Sequence, residues 1–264
     1  MIISDNTFIA VVCFSKLRLQ QAKEFCVTNE LPLLKSKSDR YDLQLLFHDD
    51  LIELFDRQLQ ASIAIDFLRG KLAHRQHFGG GRGQAIAKAM GIKSGITPRV
   101  LDTTAGLAAD AFVLATLGCP LTLIERSPVI ACLIDNAIER ASLSENFQTI
   151  LKQGFEVINC DANDYIRHRL ATGKPAPDVI YIDPMYPERK KSALVKKDMQ
   201  ILQHLHGKAD NTAELLENAL LYAGKRVVVK RPIHAEAVSS RTPDTCIKSK
   251  KTRYDIYTIK KMAE

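Results

Sequence analysis

Near the carboxyl-terminal third of the chain, Asp183-Pro184-Met185-Tyr186-Pro187 follows the short apolar run Asp178–Ile182. A carboxylate and a carbonyl one residue apart, in a turn stiffened by prolines, make a pair of hydrogen-bond acceptors. Such a pair can hold an exocyclic –NH2 group with its lone pair directed at an electrophile, and Tyr186 offers a ring on which a base can stack. Three acidic positions upstream have the order expected of a nucleoside pocket. Val100-Leu101-Asp102 runs into the small-residue loop Thr103–Ala108, then Ala109-Asp110 opens a helical pattern. Small side chains let a backbone approach a ligand closely, and N–H groups at a helix start face it. Glu125 ends Leu121-Thr122-Leu123-Ile124, twenty-three residues after Asp102, an offset that suits an acid accepting hydrogen bonds from ribose hydroxyls. Asp161, after Asn159-Cys160, can accept an adenine amino group or cap a helix, and one oxygen can serve each purpose.

These residues leave the cofactor open. An acid after the second strand serves nicotinamide dinucleotides equally well, although a dinucleotide site predicts a glycine-richer first loop than one holding only Gly106. Asp183-Pro184-Met185-Tyr186 resembles the D/N-P-P-F/Y/W motif of S-adenosylmethionine (SAM)-dependent amino-methyltransferases, with Met185 in place of the second proline. Displacement at a sulfonium methyl needs mainly positioning. A base amine inside a helix must be flipped out or already unpaired.

The elements that must position these residues alternate. The pattern predicts strands at Arg99–Asp102, Leu121–Glu125, Phe155–Cys160, Asp178–Ile182, Arg226–Lys230 and Arg253–Ile259. It predicts helices at Gln84–Met90, Asp110–Leu117, Val129–Ala141, Asn163–Thr172 and Thr212–Ala223. Such alternation implies an α/β fold with a mostly parallel sheet and helices on both faces. Residues 1–72 read differently. Phe8–Phe14 is a strand candidate and Lys16–Val27 a helix. Tyr41–Phe47 and Leu51–Phe55 form a hairpin around His48-Asp49-Asp50, and Ser62–Phe67 is a further strand. Residues 1–72 are therefore expected to form a small mixed α+β domain, and 73–264 the catalytic domain.

The chain has 264 residues and a net charge of +7. The first sixty residues hold 7 Lys/Arg against 9 Asp/Glu, and the remaining 204 hold 30 against 21, which suggests a polyanionic partner for the larger part. Basic clusters surround the acceptor turn: Arg189-Lys190-Lys191, Lys196-Lys197, Lys225-Arg226, Lys230-Arg231 and Lys248 to Arg253, with Arg75, His77 and Arg82 at the glycine junction. Each can equally be a solvated face. The six cysteines form no C-x-x-C pair and read as reduced thiols. No metal site, membrane span or signal peptide is expected.

Taken together, HFGGGRGQAIAKAMGIK, LDTTAGLAADAFVLA, IERSPV, DPMYPERKKSALVKKDMQIL and KRVVVKRP resemble the bacterial ribosomal RNA small subunit methyltransferase J family, over roughly Ala73 to Ile259. The resemblance implies a class I SAM-dependent methyltransferase (Rossmann-like) fold. It also implies N2-methylation of one guanosine in 16S rRNA, with the rRNA or small ribosomal subunit as partner, in the cytoplasm. It places cofactor contacts on Ala109, Asp110, Glu125, Arg126, Asp161, Ala162 and Asp183; the chemistry of the acceptor turn puts catalysis on Asp183, Pro184 and Tyr186. Relatives tend to have Gly-Arg-Asp where this chain has Ala108-Ala109-Asp110, so Ala109 offers only its backbone. Adenine-N6 or cytosine-N4 methylation shares the amine chemistry. An oxidoreductase or a non-catalytic RNA-binding module are readings of other classes.

Overall fold

A computed structural model describes residues 8–69, 81–184, 197–206 and 211–262. Among these the chain forms two compact units.

The first unit is built on a five-stranded sheet. Its strands are β1 (Ile9–Cys13), β2 (Leu33–Leu34), β3 (Leu43–Phe47), β4 (Ile52–Asp56) and β5 (Ala61–Ile63), in the order β2-β1-β3-β4-β5. Helix α1 (Leu19–Asn29) crosses from β1 to β2, which pairs parallel to it. The expected hairpin is present: β3 and β4 are antiparallel, and the His48 N–H donates to the Leu51 carbonyl at 2.9 Å. Two segments distant in sequence belong to this unit, Ser127–Arg140 and the helix Lys197–His206. Asn136, buried, accepts the Ile52 N–H at 3.0 Å, and Arg140 donates to the Ile65 carbonyl. His204 Nδ1 and Asp56 Oδ2 are 2.6 Å apart.

The second unit carries the alternating pattern. In chain order it contains α2 (Ala85–Met90), β6 (Val100–Asp102), α3 (Ala109–Thr116) and β7 (Leu121–Glu125). The helix Pro128–Ala141, α4, follows β7 in sequence and belongs largely to the first unit. Then come α5 (Glu145–Gln153), β8 (Phe155–Asn159), α6 (Ala162–Ala171) and β9 (Val179–Ile182). After α7 (Lys197–His206) the unit continues with α8 (Thr212–Tyr222), β10 (Arg226–Pro232), β11 (Thr245–Lys248) and β12 (Thr252–Thr258). The sheet order is β11-β12-β10-β9-β6-β7-β8. Strands β10, β9, β6, β7 and β8 are parallel, and β12 and β11 add antiparallel pairs at one edge. The mostly parallel sheet expected from the sequence is present.

Helices cover both faces. Ile180 and Ile182 of β9 join a core with Ile166 of α6 and Leu215, Leu216 and Ala219 of α8. Tyr181, between them, must point the other way, and its hydroxyl reaches Asp110 of α3. A second cluster stacks Phe67 on Phe112 and Phe147, with Phe155 edge-on. The strand expected over Ser62–Phe67 stops at Ile63, and Phe67 belongs to the second unit, buried in this aromatic core.

Helices α5 and α7 and strands β2 and β11 lie outside the elements expected from the sequence. Only Phe147 and Ile150 of α5 are buried, so its apolar stripe is thin. β11 is mostly exposed and has one neighbour, β12. No helix among the described residues is long and apolar enough to cross a membrane. None of the six cysteines is in a disulfide.

Candidate active site

From β6 the chain proceeds to β7 and β8 on one side of the sheet, then returns to β9 and β10 on the other. The order reverses between β6 and β9, and open α/β sheets bind ligands in the crevice at the carboxyl ends of such a pair. The loop after β6 and the turn after β9 both open there.

The loop is tied to both neighbouring strands. The Thr103 hydroxyl donates to the Tyr181 carbonyl on β9 at 2.8 Å. The Ala105 N–H donates to the Ile124 carbonyl at 3.1 Å, and the Gly106 N–H to Glu125 Oε2 at 3.0 Å, both on β7. Gly106 has φ +51° and Ala108 φ +54°. The second is an uncommon conformation for a residue with a Cβ, and it turns the chain into α3. Across the crevice, the Asp183 N–H donates to Thr104 Oγ1 at 2.6 Å. The first backbone group of the acceptor turn is thus pinned to the β6 loop.

Carboxylates concentrate here. Asp102 is buried, and its Oδ1 accepts the Thr104 N–H at 3.0 Å. Burial is the main force raising its pKa to about 7, with Asp110 and Asp183 adding repulsion against the Thr104 hydrogen bond and the Lys230 charge. Lys230 Nζ donates to Asp110 Oδ2 at 2.7 Å and to Asp183 Oδ2 at 2.8 Å. The Tyr181 hydroxyl donates to the same Asp110 oxygen at 2.7 Å. Burial pulls the Lys230 ammonium down, but the two carboxylates outweigh it and hold the group above the ordinary lysine range. Burial, reinforced by Asp110, also keeps the Tyr181 phenol well above its usual value. Both groups therefore stay protonated as donors at neutral pH.

The anticipated residues fall as follows. Glu125 is buried at the end of β7; its backbone carbonyl accepts Asn159 Nδ2 at 2.7 Å and the Cys160 N–H at 3.2 Å. That joins the ends of β7 and β8. Asp161 caps α6, accepting the Asn163 and Asp164 N–H groups at 2.8 and 3.2 Å. Both bonds use Oδ1, so Oδ2 takes no part in the cap. Ala162, buried, is the first residue of that helix, and Ala109 the first of α3. Arg126 is exposed just beyond β7. Asp110 and Asp183 meet on one lysine, with Pro184 next in the chain. Met185, Tyr186, Arg189, Lys190, Lys191, Lys196, Arg75 and His77 lie outside the described residues.

In the sequence Lys230 reads only as part of a basic cluster, and nothing local singles out Tyr181 or Thr104. The signal for Lys230 is its register. Val229 of β10 pairs with Ile182 of β9, so Lys230, still within β10, lies beside Asp183, the first residue past β9. Among the described residues no group of His, Cys, Asp and Glu is arranged to hold a metal ion.

The residues present suit SAM by the chemistry of their donors and acceptors. Acids end β7 and begin α6, backbone N–H groups line a small-residue loop, and a Cβ added at Gly106 would meet only the Thr104 carbonyl, at 3.8 Å. A family model described as "Putative SAM-dependent methyltransferase" matches residues 27–259. The chain is 46% identical over 222 residues to a ribosomal RNA small subunit methyltransferase J from Shewanella amazonensis, covering 83% of this chain and 88% of that one. It is 43% identical over 257 residues to the protein of the same name from Coxiella burnetii (strain Dugway 5J108-111), covering 97% and 98%. Among solved structures, a SAM-dependent methyltransferase from Neisseria gonorrhoeae superposes with a TM-score of 0.74 at 29% identity, over 94% of this chain and 96% of that one.

Proposed function

The chain belongs to the SAM-dependent methyltransferases of the ribosomal RNA small subunit methyltransferase J family, and from that premise we propose that it methylates the exocyclic N2 of a guanosine in 16S rRNA. The observation that carries the amine assignment is the fixing of Asp183 at the switch point, by Thr104 through its amide and by Lys230 through its carboxylate. A preset acceptor adjoining the Pro184 carbonyl holds an –NH2 group by two hydrogen bonds and leaves its lone pair directed away from them. Holding the reactants so is the main source of rate for an in-line displacement. SAM supplies the electrophilic methyl group when bound. Glu125 and Asp161 are the acceptors for its ribose and adenine, and the loop 103–108 for close backbone contact.

The rRNA partner is supported by the edge of the sheet. β12 runs antiparallel to β10, with Thr252 opposite Pro232. The turn between β11 and β12 therefore sits at the same carboxyl edge as Asp183. It carries Lys248, Lys250 and Lys251, all exposed. Strand spacing puts the turn on the order of 10–15 Å from β9, a reach of two or three nucleotides from a flipped base. Phosphate contacts there position RNA without reading its sequence. Arg253 does not belong with them: its guanidinium is bound to Asp255 and to the Ile233 and Ala235 carbonyls. An rRNA substrate and unpaired thiols suit an enzyme of the cytoplasm.

The test is Asp183→Ala, assayed with labelled SAM on 30S subunits and on naked 16S rRNA, with the product nucleoside identified by mass spectrometry. Methyl transfer falls at least 100-fold, and wild type yields N2-methylguanosine. Undiminished activity in the variant would remove Asp183 from the reaction. A methyl on adenine N6 or cytosine N4 would replace the guanine assignment.

A further inference from the structure

We infer that Lys230 is a positioning residue for methyl transfer: by holding Asp183 Oδ2 it sets the orientation of the carboxylate that receives the target amine. The inference rests on the proposed amine-holding role of Asp183 and extends it to a residue forty-seven positions away.

Three observations carry it. Lys230 bonds Asp183 and Asp110 at once, at 2.8 and 2.7 Å, so its ammonium is anchored and does not swing as a surface lysine does. Asp110 is itself fixed by the Tyr181 hydroxyl at 2.7 Å, and Tyr181 is buried in β9, the strand that Asp183 directly follows. The Asp183 amide is held by Thr104 at 2.6 Å, which sets its backbone. The remaining freedom of Asp183 is side-chain rotation. One charge-assisted bond to Oδ2 removes much of it and puts Oδ1 in one place. Charged hydrogen bonds are about twice as strong as neutral ones, so this one is suited to holding a rotamer.

Asp110 also gives the competing explanation. It is buried, and a buried carboxylate needs a counter-charge whether or not chemistry occurs nearby. Lys230 would then serve stability alone. The two roles separate because substitution can remove the buried charge of Asp110, whereas Asp183, left charged, still needs orienting for transfer.

The experiment compares Lys230→Met, Asp110→Asn and the double variant, at saturating SAM, on the acceptor that wild type methylates. Positioning predicts that Lys230→Met loses about 100-fold in kcat, the scale of a misplacement of about 1 Å, with KM for RNA within threefold of wild type. It also predicts that the double variant recovers the melting temperature of Asp110→Asn while its kcat stays at least 30-fold below that single variant. Lys230→Arg, which restores a charged donor, regains part of the loss. If the double variant matches Asp110→Asn in kcat within threefold, the role is stability alone and the inference is overturned. Should Lys230→Met fold poorly, the double variant still decides the question. Wild type methylating a base other than guanine would change the proposed substrate and leave this comparison intact.

Discussion

Asp102→Asn is expected to stabilise the protein at pH 8 and not at pH 4. The carboxyl is buried beside Asp110 and Asp183, which pair with the one ammonium, Lys230. Its folded pKa is raised from the usual 3.8 to about 7, first by burial. Between those values the folded state binds the proton that the unfolded state has released. Stability therefore falls as pH rises through this window and is flat on either side. The difference corresponds to about 4 kcal/mol lost by pH 8. Asparagine keeps an Oδ1 to accept the Thr104 N–H, now at 3.0 Å, and removes the charge. Its new amide donors face a cluster rich in carboxylates. Allowing part of the gain to go to rearrangement leaves about 2–4 kcal/mol, or a rise of roughly 5–10 °C in melting temperature. Thermal and urea unfolding at half-unit steps from pH 4 to 8.5 read this directly. A gain that does not shrink towards pH 4, or a loss of stability at pH 8, would refute the view that Asp102 is held with an unfavourable charge. Methyl transfer by the same variant is expected to fall, because the negative charge of the cluster draws Lys230 in and the substitution weakens that attraction.

Three further outcomes follow from the geometry. Replacing Lys248, Lys250 and Lys251 by glutamine reduces the salt-dependence slope of binding to a 16S rRNA fragment by about 2, at roughly 0.7 per phosphate lost on single strands, with SAM affinity unchanged; an unaltered slope removes the turn from the RNA contact. Asp161→Ala costs about 1 kcal/mol through the lost cap, whereas Asp161→Ser retains a capping oxygen. If both variants lose SAM affinity by calorimetry the acid serves the cofactor, and if neither does it is a cap alone. Gly91 closes α2 at φ +76°, and an added Cβ would lie 3.0 Å from Met262 Cγ and 3.2 Å from Arg226 Cζ. Gly91→Ala is therefore expected to destabilise by about 1–3 kcal/mol, read as a lower melting temperature, and an unchanged one would mean the neighbours give way without cost.

The parts of the fold legible from sequence were those with a strong local signature. Val179–Ile182 between two aspartates declares a buried strand, and the helix before Gly91 ends where glycine permits a left-handed residue. The hairpin at His48–Leu51 is bounded by two apolar runs. Helix α5 hid because it is short and its stripe is one turn, Phe147, Ile150 and Leu151, although Ser144 and Gly154 mark its ends. β11 hid because exposed residues of mixed type carry no period. Asp161 was legible in chemistry and undecided in role. The cap is now visible, and the separate use of Oδ1 keeps the other role open to test.

Lys230 shows what local reading leaves out. In sequence it is one cation among many, followed by Arg231 and surrounded by no acid. Its meaning depends on strand order: β10 must lie beside β9, in parallel, with Val229 against Ile182. A one-residue slip would turn Lys230 to the opposite face of the sheet, among Ile180, Ile182 and Val227. The acidic turn, by contrast, is contiguous, and its acceptors can be read from five letters. A catalytic carboxylate is therefore easier to find in a sequence than the group that orients it, because its partner is supplied by the sheet. Here the sheet supplies a single ammonium to two of three neighbouring carboxylates. That ammonium anchors Asp110 and holds Asp183, while burial, with repulsion from both, raises Asp102. Any substitution in the cluster must therefore be read on all three acids, not only on the residue replaced.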